Sequence, residues 1–224
     1  MDCLWCDNEI IPEINWTTLF MLPEPEKLCQ SCRGKLIELD GKRCEKCSRL
    51  SSKSICDDCR WWKEHKDPLM FNYSIFQYNE RMQEMVARWK YRGDYCLGEA
   101  FRKQFRNGFR QSFSFLTKQA VAVPIPLSHE RLMERGFNQA ELLSRFLPVP
   151  TRNALSRVHG EKQSKKTRYE RITAINPFRL SMAVDKPVVL VDDIYTTGTT
   201  LRHAASILKD GGSTEIYALT LIRG

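Results

Sequence analysis

The chain has 224 residues, 42% of them hydrophobic, which is enough for one ordinary domain with a packed core and a smaller module. No apolar run approaches the length of a membrane span and no secretory signal opens the chain, so we expect a cytoplasmic protein without membrane insertion. The formal net charge of +8 favours anionic partners.

Eight of the nine cysteines form four Cys-x-x-Cys pairs, a spacing typical of zinc sites in a cytosolic chain. Each pair can bind one side of a tetrahedral ion, and an iron–sulfur cluster would lack its usual close run of three cysteines. The interval between the third and fourth pairs is short, as in a zinc ribbon, although a cross-braced pairing remains open. We therefore predict two Zn²⁺ ions, one bound by Cys3, Cys6, Cys29 and Cys32 and the other by Cys44, Cys47, Cys56 and Cys59. For Cys96 we predict a buried free thiol.

The cysteine-rich segment predicts a double zinc-ribbon module at residues 1–62, followed by a second domain at 70–224. Alternation predicts a strand over 71–78. A helix is predicted over 80–92, because four apolar side chains recur with helical spacing there, and another over 97–109. The four apolar positions are Met82, Met85, Val86 and Trp89.

From residue 120 the pattern becomes α/β. We predict a strand over 121–123 and a helix capped by Ser128 that continues to Leu147 with Met133 on its apolar face. A strand then opens at Pro187, a helix ends at 211–212, and a last strand covers 216–222. Strands that alternate with helices predict a mostly parallel sheet with helices on both faces.

The segment 188–200 contains a buried strand, two acids, a loop of small residues and the start of a helix. The acids can accept hydrogen bonds from ribose hydroxyls, and the loop amides and helix N-terminus can bind a phosphate. The order of these parts resembles the 5-phosphoribosyl-1-pyrophosphate (PRPP) motif of type I phosphoribosyltransferases. The predicted ligand residues are Asp192, Asp193, Thr196, Thr197, Gly198, Thr199 and Thr200.

Arginines elsewhere can neutralise a pyrophosphate together with Mg²⁺. The candidates are Arg131, Arg135, Arg168 and Arg171. Arg131 and Arg135 fit a helix surface equally well. The last two belong to a basic stretch, 157–171, that has no apolar period and is predicted to be a mobile loop. That loop could close over a pyrophosphate, contact nucleic acid or serve as a solvated linker.

A second basic stretch, 81–110, has lysines and arginines interleaved with aromatic residues. This pattern fits a surface that binds single-stranded DNA, with rings that stack on bases and cations that meet phosphates. A pair of amphipathic helices with buried rings explains most of the rings as well, and we favour it for them. The DNA-binding candidates are Arg88, Lys90, Arg92, Arg102, Lys103, Lys165 and Lys166.

Several of these motifs occur together and in order: the cysteine pairs and the segments 88–94, 123–127, 134–140, 163–166 and 192–200. In this combination the chain resembles the ComF family. The resemblance implies a zinc ribbon joined to a type I phosphoribosyltransferase-like domain. It also implies a role in natural transformation, in which incoming single-stranded DNA is handled with the ATP-dependent translocase ComFA, with recruitment to the DNA-uptake machinery at the membrane.

Two functional hypotheses follow from the sequence. The first is a non-enzymatic DNA-uptake factor whose PRPP-type pocket is regulatory or vestigial. The second is an active phosphoribosyltransferase of nucleotide metabolism, for which we assign no catalytic residue. We see no aromatic base-recognition segment after the last predicted strand, and this favours the first hypothesis.

Overall fold

In the computed structural model, residues 1–11, 16, 25–116, 119–158 and 176–224 are described. The cysteine-rich part contains the same local structure twice. In each copy a Cys-x-x-Cys turn ends at a residue with positive φ, Asp7 or Ser48, both at 59°. The second pair of each copy then starts a short helix, α1 (Gln30–Arg33) after Cys29 and α2 (Asp57–Glu64) after Cys56.

The elements of the larger part follow in chain order. They are β1 (Asn72–Gln77), α3 (Glu80–Tyr91), a 3₁₀ helix (Tyr95–Phe101), α4 (Arg102–Ser112), a short 3₁₀ helix (Ser114–Leu116), β2 (Val121–Pro124), α5 (His129–Arg135), α6 (Gln139–Ser144), β3 (Leu155–Arg157), β4 (Phe178–Leu180), β5 (Val188–Tyr195), α7 (Thr199–Asp210) and β6 (Ile216–Arg223).

Four of the strands form one parallel sheet in the order β1-β6-β5-β2, and β3 and β4 form a separate antiparallel pair. Because parallel strands end at the same edge, the acids near the end of β5 lie beside the residues that follow β2. Both faces of the sheet are covered, as alternating side chains of β5 demonstrate. Val189 and Val191 belong to the core cluster that includes side chains of α4 and α6, whereas Val188 and Leu190 belong to the cluster that includes side chains of α7. The predicted fold class is confirmed.

The cysteine-rich part is hydrogen-bonded to the edge of this sheet. The amide of Leu39 donates to the carbonyl of Ile75 at 2.7 Å, and the amide of Gln77 donates to the carbonyl of Ile37 at 2.9 Å. The open edge of β1 is thereby paired, which prevents edge-to-edge association there. The boundaries 1–62 and 70–224 stay predictions of the sequence.

Three local predictions are wrong and a fourth is imprecise. The helix predicted to run from Ser128 to Leu147 is two helices, because Gly136 has a φ of 77° and the Asn138 side chain starts α6. Met133 is 72% exposed instead of facing the core. The helix predicted over 97–109 begins as a 3₁₀ helix, and Cys96 in that helix is exposed, because Leu97, Gly98 and Phe101 take its inward positions.

Among the described residues, no helix combines the length and apolar character needed to span a membrane.

Candidate functional site

Two acids in β5 form the floor of a cavity of about 320 Å³ at the carboxyl edge of the sheet. Asp193 is buried and forms an ion pair with Lys90 from the last turn of α3. Asp192 accepts a hydrogen bond from the amide of Asp193 at 2.9 Å. The strand therefore presents two carboxylates to the cavity, of which one already has a cation.

The two acids differ in acidity. Burial, and next the charge of Asp193, raise the pKa of Asp192 to about 8. Burial also opposes ionisation of Asp193, but Lys90 and then Arg135 hold the pKa of Asp193 below its ordinary value. Asp193 is therefore the stronger acid of the pair, and it ionises first.

The loop after β5 leads into the N-terminus of α7. Gly198 has a φ of 78°, a conformation that side chains rarely adopt, and it immediately precedes the helix. The hydroxyls of Thr197 and Thr199 are 3.0 Å apart, and the amide of Thr199 donates to the Thr197 hydroxyl at 3.4 Å. Gly198, at the cap position, has no side chain that could bond the remaining amides. A helix of 12 residues that starts in this way offers its first amides and the positive end of its dipole to an anion.

Three arginines line the same cavity from other elements. Arg131 and Arg135 come from α5, and Arg135 donates to the side-chain oxygen of Gln139 at 3.1 Å. Arg157 is the last residue of β3. Arg131 and Arg157 both line the cavity, and burial, and next the charge of Arg131, lower the pKa of Arg157. An anion between them would relieve their repulsion.

The predicted ligand residues are thus brought together. Six of the seven line the cavity, and the seventh, Gly198, lies in the same loop directly before α7. Arg131 and Arg135 also line it, whereas Arg168 and Arg171 lie outside the described residues, as do Lys165 and Lys166. The structure adds Lys90, assigned from the sequence to a DNA surface, and Arg157, assigned to a mobile loop. The position of Lys90 four residues after the buried Val86 is the sequence signal for its inward orientation.

The aromatic rings of the basic stretch 81–110 are mostly buried, as expected for amphipathic helices that direct their rings into the core. Trp89, Phe101, Phe105 and Phe109 belong to the core, while Tyr91 is 74% exposed at the edge of the cavity.

The remaining DNA-binding candidates in the described residues lie on the surface. Arg88 pairs with Asp94 and Lys103 with Glu26, at 2.8 and 3.0 Å, and Arg102 binds Glu99 with two hydrogen bonds. Arg92 is exposed. Ion pairs at a protein surface are weak. Binding of these residues to DNA stays a prediction of the sequence.

The eight paired cysteines form two groups of four sulfur atoms with the predicted membership, and within each group all sulfurs lie within 4.8 Å of one another. A tetrahedral zinc ion with Zn–S distances of about 2.3 Å needs sulfurs about 3.8 Å apart. The Cys6–Cys29 and Cys47–Cys56 sulfurs are each 3.7 Å apart.

The surroundings of the sulfurs also suit a metal. The amides of Cys29 and Cys56 donate to the sulfurs of Cys3 and Cys44 at 3.3 Å. Both groups therefore fit Zn²⁺.

Comparison with known proteins identifies the family. Residues 132–224 match the family model of the phosphoribosyl transferase domain. The chain is 40% identical over 228 aligned residues to the competence protein ComFC of Bacillus subtilis, covering 99% of this chain and 94% of that protein. The chain belongs to the ComFC family. A second member, the competence protein ComFC of Streptococcus pneumoniae, is 27% identical, and the match covers both chains completely.

Solved structures are also similar to this ComFC-family chain over part of its length. A hypoxanthine phosphoribosyltransferase from Staphylococcus aureus is 18% identical, covers 56% of this chain and 64% of its own, and has a TM-score of 0.34. The resemblance to the ComF family that the motifs indicated is confirmed by the curated relatives.

Proposed function

We propose that this protein acts in natural competence, where it handles incoming single-stranded DNA in the cytosol together with a ComFA-like translocase. We propose further that its cavity binds PRPP or a similar phosphorylated sugar. The competence role is supported by full-length similarity to proteins named for competence. The ligand is supported by one observation above all: acids, an open helix N-terminus and three arginines converge on one cavity.

Each part of the cavity has a task in this proposal. Asp193, ionised and buried, accepts hydrogen bonds from the ribose hydroxyls. The threonine loop and the N-terminus of α7 bind the 5-phosphate. Arg131 and Arg157 bind the pyrophosphate, and Mg²⁺ would be bound by that pyrophosphate and the acids.

Calorimetric titration with PRPP, with and without Mg²⁺, tests the ligand. Asp193→Asn keeps the size of the side chain but removes its charge, and we expect the affinity to fall about tenfold or more, which corresponds to one charged hydrogen bond of about 1.5 kcal/mol. Asp185→Asn makes the same change at an exposed position and should bind like the wild type. Unchanged affinity in Asp193→Asn would place the ligand elsewhere.

One observation favours the second candidate function, transfer of ribose 5-phosphate to a nitrogen nucleophile with release of pyrophosphate. Arg131 and Arg157 put positive charge beside the acids, where a departing pyrophosphate would need it. A pyrophosphate-release assay with PRPP and each common nucleobase distinguishes the two functions. Release above that of an Asp193→Asn control would make the protein an enzyme, and binding without release supports the DNA-uptake factor.

A further inference from the structure

A buried polar network lies directly under the loop at residues 196–200. We call this segment the ligand loop. Arg202 of α7 donates to the hydroxyl of Tyr195 at 2.7 Å and makes two hydrogen bonds, of 3.1 and 2.9 Å, to the carboxylate of Asp67. Its guanidinium lies 4.5 Å from the ring centre of Trp62. Arg202 and Tyr195 are each 3% exposed. A buried guanidinium needs this complete set of partners, because an unpaired one would be strongly destabilising.

The network supports the loop backbone. A Cβ atom placed on Gly198 would lie 2.2 Å from both the Nη1 atom of Arg202 and the hydroxyl of Tyr195. The loop at Gly198 therefore rests on these two atoms with no space between them. If Arg202 moves, the loop and the first turn of α7 lose their support.

The partners of Arg202 come from the cysteine-rich part and its connection to the sheet. Trp62 lies in α2, the helix that Cys56 starts and that contains Cys59, and Asp67 follows that helix. The sulfurs of Cys44, Cys47, Cys56 and Cys59 belong to the same buried cluster as Tyr195 and Leu201. A metal bound there would fix the start of α2 and with it the position of Trp62 and Asp67.

A second connection leads from the turn that contains Cys47 to the sheet. Arg223 donates to the backbone carbonyl of Tyr195 at 3.1 Å and lies 4.8 Å from its ring centre. Ser48, directly after Cys47, donates to the carbonyl of Asn72 at 2.9 Å and accepts from the amide of Ser74 at 3.0 Å. The turn that contains Cys47 is therefore attached to β1 by buried hydrogen bonds.

The first sulfur group lies elsewhere. Cys3 and Cys32 pack in the other core cluster, with the aromatic rings of α3 and α4, on the opposite face of the sheet from α7. Cys6 and Cys29 are partly exposed. Among the hydrogen bonds of the described residues, none links this group to Arg202 or Tyr195.

We propose that the two metal sites have different roles, and that the site of Cys44, Cys47, Cys56 and Cys59 positions the ligand loop through Trp62, Asp67 and Arg202. Trp62 and Asp67 are positioning residues, since neither lines the cavity. The expected effect on PRPP affinity rests on the proposed function, because it assumes that the cavity binds a PRPP-type ligand. The ordering of the loop does not depend on that ligand.

The first test changes Asp67 and leaves all cysteines in place. In Asp67→Asn we expect two zinc ions per chain by elemental analysis, faster hydrogen exchange of amides 196–200, and an affinity for PRPP at least tenfold lower. Asp67→Glu keeps the charge and should restore most of the affinity. Asp40→Asn, an exposed change in the same part of the chain, should match the wild type in all three measurements.

The second test removes each metal separately. Cys59→Ser should retain about one zinc ion and lose both loop protection and PRPP binding, whereas Cys29→Ser should retain about one zinc ion and keep both. If Cys59→Ser fails to fold, the Asp67 variants alone test whether the loop depends on this network.

The inference would be overturned if amides 196–200 exchanged hydrogen at the wild-type rate in Asp67→Asn. It would also be overturned if Cys59→Ser and Cys29→Ser lost protection of these amides equally. If the wild type does not bind PRPP but exchange at 196–200 still responds to Asp67→Asn, the proposed ligand is wrong and the positioning role stands.

Discussion

The ammonium group of Lys90 forms an ion pair with the carboxylate of Asp193 across the cavity, and the two side chains are only 12% and 13% exposed. The pair joins the end of α3 to β5. It means that the acid best suited to bind a ribose already has a cationic partner in the structure. A ligand must share Asp193 with Lys90 or displace it.

Lys90→Met should therefore lower the stability of the protein. The substitution leaves a buried carboxylate without its counter-charge, at an expected cost of about 1–3 kcal/mol in the free energy of unfolding. Urea titration at neutral pH measures this change. Lys103→Met breaks an exposed ion pair with Glu26 and should cost less than about 1 kcal/mol. Equal losses in the two variants would contradict the structural importance of the buried pair.

The raised pKa of Asp192 predicts that its contribution to stability decreases as the pH rises. Its pKa rises from an ordinary 3.8 to about 8 on folding, so between these values the folded state binds more protons than the unfolded state. The contribution of Asp192 to the free energy of unfolding therefore decreases as pH rises from about 4 to about 8.

Asp192→Asn removes this titration. The variant should gain stability relative to the wild type as the pH rises from 5 to 8, by on the order of 1 kcal/mol or more. Urea unfolding of both proteins at several pH values measures the difference, and the titrations of the cysteines cancel because they are common to both. Parallel pH profiles would show that Asp192 ionises normally in the folded protein.

Gly198→Ala should disrupt the ligand loop by two effects. The residue has positive φ, which costs about 1 kcal/mol for alanine, and its new Cβ would overlap Arg202 and Tyr195. Gly212→Ala is the matched control, with a φ of 97° and no atom within 4 Å of the added Cβ. Thermal unfolding should reveal a larger loss for Gly198→Ala, and only that variant should lose PRPP affinity. Similar behaviour of the two variants would rule out the overlap.

Single-stranded DNA should bind with a marked salt dependence and little sequence preference. Each phosphate contact contributes a slope of about −0.7 to log affinity against log salt concentration. Fluorescence anisotropy with a labelled oligothymidylate measures it. Alanine at Lys165, Lys166 and Arg168 together should flatten the slope, whereas Arg60→Ala, at an exposed ion pair in α2, should leave it unchanged. A salt slope unaffected by the triple substitution would exclude these three residues from DNA contact.

Much of the architecture follows from local patterns. The stripe of Met82, Met85, Val86 and Trp89 predicts α3, and all four side chains are buried as expected. The predicted strands at 71–78, 121–123 and 216–222 correspond to β1, β2 and β6. The break between α5 and α6 was missed, because a glycine followed by a capping asparagine overrides an apolar period that continues across it.

By itself, the sequence determined the chemistry that is local in the chain: the two groups of four cysteines, the pair of acids in β5, and the glycine–threonine loop before a helix. These depend on spacing over a few residues, which backbone geometry converts directly into a shape. Only the tertiary structure decided which distant residues meet them. Lys90 reaches Asp193, Arg157 reaches the cavity, and Asp67 reaches Arg202, because parallel strand order and the packing of the cysteine-rich part on the sheet bring together residues that no local period connects.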